Sequence, residues 1–202
     1  MHAQLESIAD GLAEHGYAVV DQFLSQDEVN AILASESFTA EKNDFRKAGI
    51  GKKEAHQINE AIRGDFIRWL DRRTAHPAVL VYLDRLQELM QYLNRSLYLS
   101  LKDYEVHMTV YPAGSFYKRH LDQFKKEDHR RLSVICYLNT DWKEEHGGQL
   151  RMHIDGDTID FLPLAGRLIC FRSELIEHEV LPATRERLSI TGWLLDHLTE
   201  LR

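Results

Sequence analysis

Residues 104–195 form a succession of short apolar runs broken by turn residues, and few architectures accept that pattern. Tyr104, Val106, Met108 and Val110 alternate with Glu105, His107, Thr109 and Tyr111, the two-residue period of a strand with two unlike faces. Further runs follow at 132–138, at 149–154 behind the Gly147-Gly148 pair, and at 158–162, 167–171 and 187–195. Asp155-Gly156-Asp157 reads as a hairpin turn and Ala165-Gly166 as another turn. Many short strands at turn-punctuated spacing imply a sandwich or a barrel.

The first hundred residues read differently. Leu5, Ile8, Ala9 and Leu12 recur at helical spacing before Gly16, a stop signal. Residues 17–24 read as a strand around Ala18-Val19-Val20, and Ser25-Gln26-Asp27-Glu28 is a capping box ahead of Val29, Ile32 and Leu33. Residues 41–62 hold charges, Gly49 and Gly51 without apolar period, so a long loop, mobile until something docks, is expected there. Pro77 opens the longest helix, with Val79, Leu83, Leu86, Met90, Leu93 and Leu97 as its stripe. The expected fold is α+β but mainly β: a double-stranded β-helix (jelly roll) at 104–195, with a helical and mixed part at 1–103 buttressing one sheet. Residues 1–202 form a single domain on this reading.

Twenty-five Lys and Arg against 32 Asp and Glu give a net charge of −7, which argues against nucleic acid as a partner. No apolar run is long enough to cross a membrane as a helix, and there is no signal-peptide core. Cys136 and Cys170 lie in apolar strand-like runs and read as buried, reduced thiols. A cytoplasmic monomer is expected.

His120 and Asp122 are two apart, so an extended chain points both the same way. His178 follows far downstream and Arg187 nine residues after it. A His-x-Asp pair plus one distant His is the sequence form of the facial triad that holds Fe(II) and leaves positions open for co-substrate and oxygen. With 11 histidines in the chain, one His-x-Asp pair means little alone; the ordered set carries the weight. His107, His129, His146, His153 and His197 read as surface or structural. Arg187, Ser189, Thr191 and Trp193 share one face of the last strand, and an Arg inside an apolar strand is costly unless it meets an anion. Ile135 and Tyr137 share a face of their strand, opposite Val134 and Cys136, and the Tyr137 hydroxyl can serve the same anion.

Further segments carry a resemblance: His15-Gly16, Val19-Val20-Asp21-Gln22-Phe23-Leu24, Ile62-Arg63-Gly64-Asp65, Tyr111-Pro112, Arg119-His120-Leu121-Asp122, Tyr137-Leu138-Asn139-Thr140-Asp141-Trp142, Gly147-Gly148-Gln149-Leu150-Arg151, His178-Glu179-Val180-Leu181-Pro182-Ala183 and Ile190-Thr191-Gly192-Trp193. Over nearly its whole length the chain resembles the Fe(II)- and 2-oxoglutarate-dependent oxygenases, and within them the hypoxia-inducible-factor-type prolyl 4-hydroxylases and their bacterial relatives. The resemblance implies iron on His120, Asp122 and His178. It implies 2-oxoglutarate on Arg187 and Tyr137, with Tyr111, Ile135 and Leu150 lining its pocket and Thr191 beside them. It implies a substrate region at Tyr117, Trp193 and Arg172. The implied reaction uses O2 and 2-oxoglutarate, with ascorbate as reductant, to hydroxylate C4 of a prolyl residue in a protein; the bacterial relatives suggest elongation factor Tu. The early loop and residues 172–177 depart from the family.

Other readings stand beside this one. The same chemistry serves hydroxylation of a small molecule such as free proline, or nucleic-acid demethylation. For the latter, Lys118, Arg119, Lys125, Lys126, Arg130 and Arg131 form a local basic cluster, otherwise a solvated loop. A non-enzyme reading is an iron-binding oxygen sensor with little turnover.

Overall fold

The computed structural model describes residues 1–35, 45–48, 62–123 and 129–198. Helix α1 (His2–His15) ends where Gly16 takes a left-handed φ of 77° and donates its N–H to the Leu12 carbonyl. Strand β1 (Tyr17–Val20) is shorter than the expected run, because Gln22 turns the chain at φ 57°. That turn drops Phe23 and Leu24 into the core. Helix α2 (Gln26–Ala34) begins with the capping box: Ser25 Oγ accepts from the Glu28 N–H at 3.3 Å, and Glu28 Oε2 accepts from the Ser25 N–H at 2.7 Å. Most of the long loop expected at 41–62 lies outside the described residues. Within it, Arg46–Lys47 forms β2, paired with β3 (Phe66–Trp69). Helix α3 (Pro77–Leu97) has Pro in its first turn and buries Val79, Tyr82, Leu83, Leu86, Leu89, Met90 and Leu93.

The rest is strand: β4 (Asp103–Tyr111), β5 (Tyr117–His120), β6 (Arg130–Tyr137), β7 (Leu150–Ile154), β8 (Asp157–Phe161), β9 (Leu168–Arg172), β10 (Glu177–Val180) and β11 (Arg187–Leu195). Asp155 and Gly156, both at positive φ, make the two-residue turn between β7 and β8. A seven-stranded sheet runs β1-β9-β6-β11-β4-β3-β2, and a four-stranded sheet runs β5-β10-β7-β8. All pairings between these strands are antiparallel. This is the jelly roll.

The period of two divides the large sheet into two chemical faces. Leu132, Val134 and Cys136 of β6, with Leu168 and Cys170 of β9 and Ile190 and Leu194 of β11, pack against the three helices. Each fully buried Leu or Ile contributes about 1.5–3 kcal/mol there. Ile135 and Tyr137, with Ile169 and Phe171, face the small sheet and meet Leu150, Met152 and Val180. The helices thus buttress the large sheet from outside, leaving its inner face to the site. Both cysteines are buried and free, and burial pushes both thiols up. No described helix is long and apolar enough to cross a membrane.

Central strand β11 runs between β4 and β6, and Gly192 allows the close approach. A Cβ there would lie 2.1 Å from the Glu105 carbonyl oxygen and 2.6 Å from Val106 Cα. Both obstacles are backbone and cannot yield without opening the ladder. Gly192→Ala is expected to cost more than about 2 kcal/mol by urea denaturation. Ser25→Ala, which removes only the α2 cap, is expected to cost about 1 kcal/mol.

Candidate active site

Strands β5 and β10 pair so that His120 lies opposite His178. The next pair is Val180 with Tyr117, so β5 advances three residues while β10 advances two. This bulge turns Tyr117 and His120 to the same inner face, where their rings stack at 3.6 Å. The ligand atoms of His120, Asp122 and His178 all lie within 4.8 Å of one another, the one such group among the described residues. His120 Nδ1 is 2.7 Å from the Lys118 carbonyl oxygen, and His178 Nδ1 is 3.1 Å from that of Ile176. Each carbonyl fixes the proton on Nδ1 and leaves the Nε2 lone pair for a metal. The Nε2 atoms stand 3.4 and 3.8 Å from the Asp122 oxygens.

The protonation states suit metal binding. Burial alone would raise the Asp122 pKa, but His178 and His120, with a 2.7 Å hydrogen bond from Ser133 Oγ, hold it well below the carboxylate range. Burial pushes His178 down to about 4 despite Asp122. Two imidazoles and a carboxylate on one side fit Fe(II) with open positions opposite.

Arg187 sits opposite Tyr111 and is 2% exposed. Its guanidinium lies over the rings of Tyr111 and Tyr137, at 5.1 and 4.9 Å, and Nη2 donates to the Tyr137 hydroxyl at 3.3 Å. Its Nε has no hydrogen-bond partner, and among the described residues no carboxylate pairs with it. Gly148, at φ 71°, leaves room beside it: a Cβ there would come within 3.4 Å of Arg187 Cδ. A buried guanidinium without an anion is strongly unfavourable, so the donor set fits an incoming carboxylate. Burial raises the Tyr137 pKa and keeps its hydroxyl neutral. Tyr111, Ile135, Tyr137 and Leu150 all belong to the core between the sheets. Thr191 Oγ1 lies 3.0 Å from Ser189 Oγ on the same face.

Trp193 pairs with Ser133, the residue that holds Asp122. The Arg130 guanidinium stacks on it at 3.4 Å, and its buried Nε1 has no partner. Arg172 lies on the other face of the large sheet. It shares the parity of Leu168 and Cys170, which face the helices, and its guanidinium pairs with Glu174 at 2.7 Å. His107, expected at the surface or as mere structure, is buried on the inner face. The basic cluster is largely neutralised: Arg119 pairs with Glu177, Arg130 with Glu105 and Arg131 with Asp196. Lys125 and Lys126 lie outside the described residues. Sequence reading missed Ser133, and it gave no role to the part-buried Arg63–Asp65 pair, whose guanidinium lies 4.3 Å over Tyr117. Ser133 had a signal in its parity with Ile135 and Tyr137; Arg63 and Asp65 had theirs only in the resemblance.

His107 and His178 are both pushed down by burial, each from 6.5 to about 4. Folded, they stay neutral to about pH 4; unfolded, they protonate near 6.5. Acid therefore favours the unfolded chain across that window. The melting temperature of metal-free protein is expected to fall as pH drops from 6.5 to about 4. A melting temperature unchanged over that range would contradict the neutral assignment.

The profile of the 2OG-Fe(II) oxygenase superfamily matches residues 106–195. Egl nine homolog 1 of Homo sapiens is 31% identical over 207 residues, which cover 95% of this chain and 46% of that protein. The chain thus spans about half the length of that relative. A prolyl hydroxylase of Trichoplax adhaerens, solved with a hypoxia-inducible-factor peptide fragment, superposes with TM-score 0.84 at 26% identity, covering 95% of this chain and 89% of that one. A Pseudomonas putida prolyl-4-hydroxylase superposes with TM-score 0.86 at 40% identity, covering 96% of this chain and 100% of the other. Matched end to end at that identity, and carrying the His-Asp-His cluster, the chain belongs to the prolyl hydroxylase family of the 2OG-Fe(II) oxygenases.

Proposed function

We propose that the protein hydroxylates C4 of a prolyl residue within a protein substrate, using O2 and 2-oxoglutarate. One observation carries this reading: the Arg187 guanidinium, which meets no carboxylate among the described residues, and the His120–Asp122–His178 cluster both border the core between the sheets. Iron with 2-oxoglutarate supplies the oxidising chemistry: one atom of O2 goes to succinate as CO2 leaves, and the other enters the substrate C–H bond. The protein supplies position. His120, Asp122 and His178 hold the metal from one side; Arg187 and Tyr137 hold the far carboxylate of the co-substrate. Tyr111, Ile135 and Leu150 exclude water from it.

For the prolyl ring, Tyr117 and Trp193 supply aromatic surface beside the triad: Tyr117 stacks on His120, and Trp193 neighbours Ser133. The Trichoplax relative holds a peptide fragment on the same fold, which favours a protein substrate over free proline. Ascorbate serves as reductant for the iron.

The test combines Fe(II), 2-oxoglutarate and ascorbate with proline-containing peptides and with elongation factor Tu, the candidate that the bacterial resemblance suggests. Succinate should form in step with a hydroxyl on a prolyl residue, read by mass spectrometry. His178→Ala should abolish both. A charge-assisted hydrogen bond is worth about 1.5–3 kcal/mol, so Arg187→Ala should raise the 2-oxoglutarate requirement about ten- to a hundred-fold with iron still bound. Arg187→Lys should recover part of it, because the planar fork is lost. Efficient hydroxylation of free proline, or succinate formation indifferent to every peptide, would refute the protein-substrate reading.

A further inference from the structure

Two of the three triad side chains are steadied from one short segment, the end of β9 and the turn at 173–176 that leads into β10. The Phe171 ring lies 4.7 Å from that of His178, and the Ile176 carbonyl oxygen stands 3.1 Å from His178 Nδ1. The segment reaches Asp122 at one remove. Ser133 Oγ donates to Asp122 Oδ2 at 2.7 Å, and Ser173 Oγ lies 2.9 Å from Ser133 Oγ.

The pairing of β6 with β9 explains why these hydroxyls meet. Phe171 is directly opposite Ser133. Ser173 is two residues on, so it shares the inner face of Phe171 and sits diagonal to Ser133. Its backbone N–H donates to the Arg131 carbonyl at 3.2 Å, which ties the first residue of the turn to β6. Ser133 is 1% exposed and Ser173 0%, so neither hydroxyl serves the surface.

The supply of protons fixes the direction of donation. Each serine hydroxyl has one proton to give. Asp122 as a metal ligand is a carboxylate and only accepts, so the Ser133 proton is committed to it. The contact between the serines then draws its proton from Ser173. Ser133 gives one hydrogen bond and takes another, which polarises it as a donor and favours the one rotamer that serves both.

We propose that Ser173 is a positioning residue for the metal: acting through Ser133, it fixes the orientation of the Asp122 carboxylate. The β9–β10 turn thus holds His178 directly and Asp122 by relay. The inference rests on the triad's holding a metal and is independent of which substrate is hydroxylated.

The test measures Mn(II) affinity by calorimetry on full-length protein at one pH, with the melting temperature of the metal-free form as the control for folding. Ser133→Ala removes the donor to Asp122 and should weaken Mn(II) binding about ten- to a hundred-fold. Ser173→Ala leaves that donor in place but without its anchor, and should weaken binding about two- to ten-fold. Ser173→Thr keeps the hydroxyl and should bind as the wild type does. The decisive measurement is the double variant: with Ser133→Ala already present, Ser173→Ala should weaken Mn(II) binding no further. Wild-type affinity in Ser173→Ala, an equal loss in Ser173→Thr, or losses that add in the double variant overturn the proposal. Should either alanine variant not fold, cysteine at that position, close in size but a weak donor, replaces it under the same criteria. A wild type that does not bind Mn(II) refutes the metal reading instead, a result distinct from unchanged affinity in the variants.

Discussion

The antiparallel register of β5 against β10 sets His120 opposite His178, and the site depends on it. A slip of one residue would turn every side chain of a strand to the other face, sending the imidazoles into solvent and Glu177 or Glu179 into the chamber. Little apolar burial enforces the register, since β10 offers only Val180 and the buried His178. Pairing with β7 enforces it from the other side, where Met152 lies opposite His178 and Leu150 opposite Val180. The triad is therefore built on a strand that a better-packed neighbour holds in place.

The large sheet solves a different problem, that of keeping a cation dry. Arg187 shares its face with Tyr111 and Tyr137, whose rings give a guanidinium partial compensation of about 0.5–2 kcal/mol each. That is too little to offset burial of a full charge, whose effective cost is several kcal/mol. The helical core on the other face, with Leu132, Val134, Cys136, Ile190 and Leu194, supplies the remainder. The buttressing helices thus bear on the chemistry: they let the inner face carry a charge waiting for an anion.

Much of this was legible in the sequence where the period of two or of 3.6 was clean. The bounds of β11, the α2 capping box and the split of β6 into two faces were read from residue order alone. Strands β5 and β10 escaped the strand reading because their ligands and charges, Lys118, Arg119, Glu177 and Glu179, leave no apolar alternation; function erased the signal of structure. His107 was read as surface or structural, and its alternation with Val106 and Met108 buries it beside Thr109 on the inner face. Arg172 was read with the variable segment that follows it, while its parity sends it toward the helices. The Arg63–Asp65 pair lay in a segment noted for its resemblance, but its place came only with Tyr117 packed against it.

The small sheet shows how a metal enters the stability of the fold. Its outer face carries Arg151–Asp160, His153–Glu179 and Arg119–Glu177 pairs. The exposed Arg151–Asp160 and Arg119–Glu177 pairs are worth about 0–1 kcal/mol apiece, so they tune the sheet without holding it. Edge strand β5 has one described sheet neighbour, β10, besides a single bridge from Arg63. With Tyr117 its sole large apolar side chain, β5 has little of its own to bury. A cation on His120, Asp122 and His178 joins β5 and the residues just after it to β10, and through the Ser133 hydrogen bond to the large sheet. Binding energy at such a site is folding energy for the elements it joins. The thinnest edge of the jelly roll is thus the one a metal on these residues would close, so that one ion would serve both the architecture and the site.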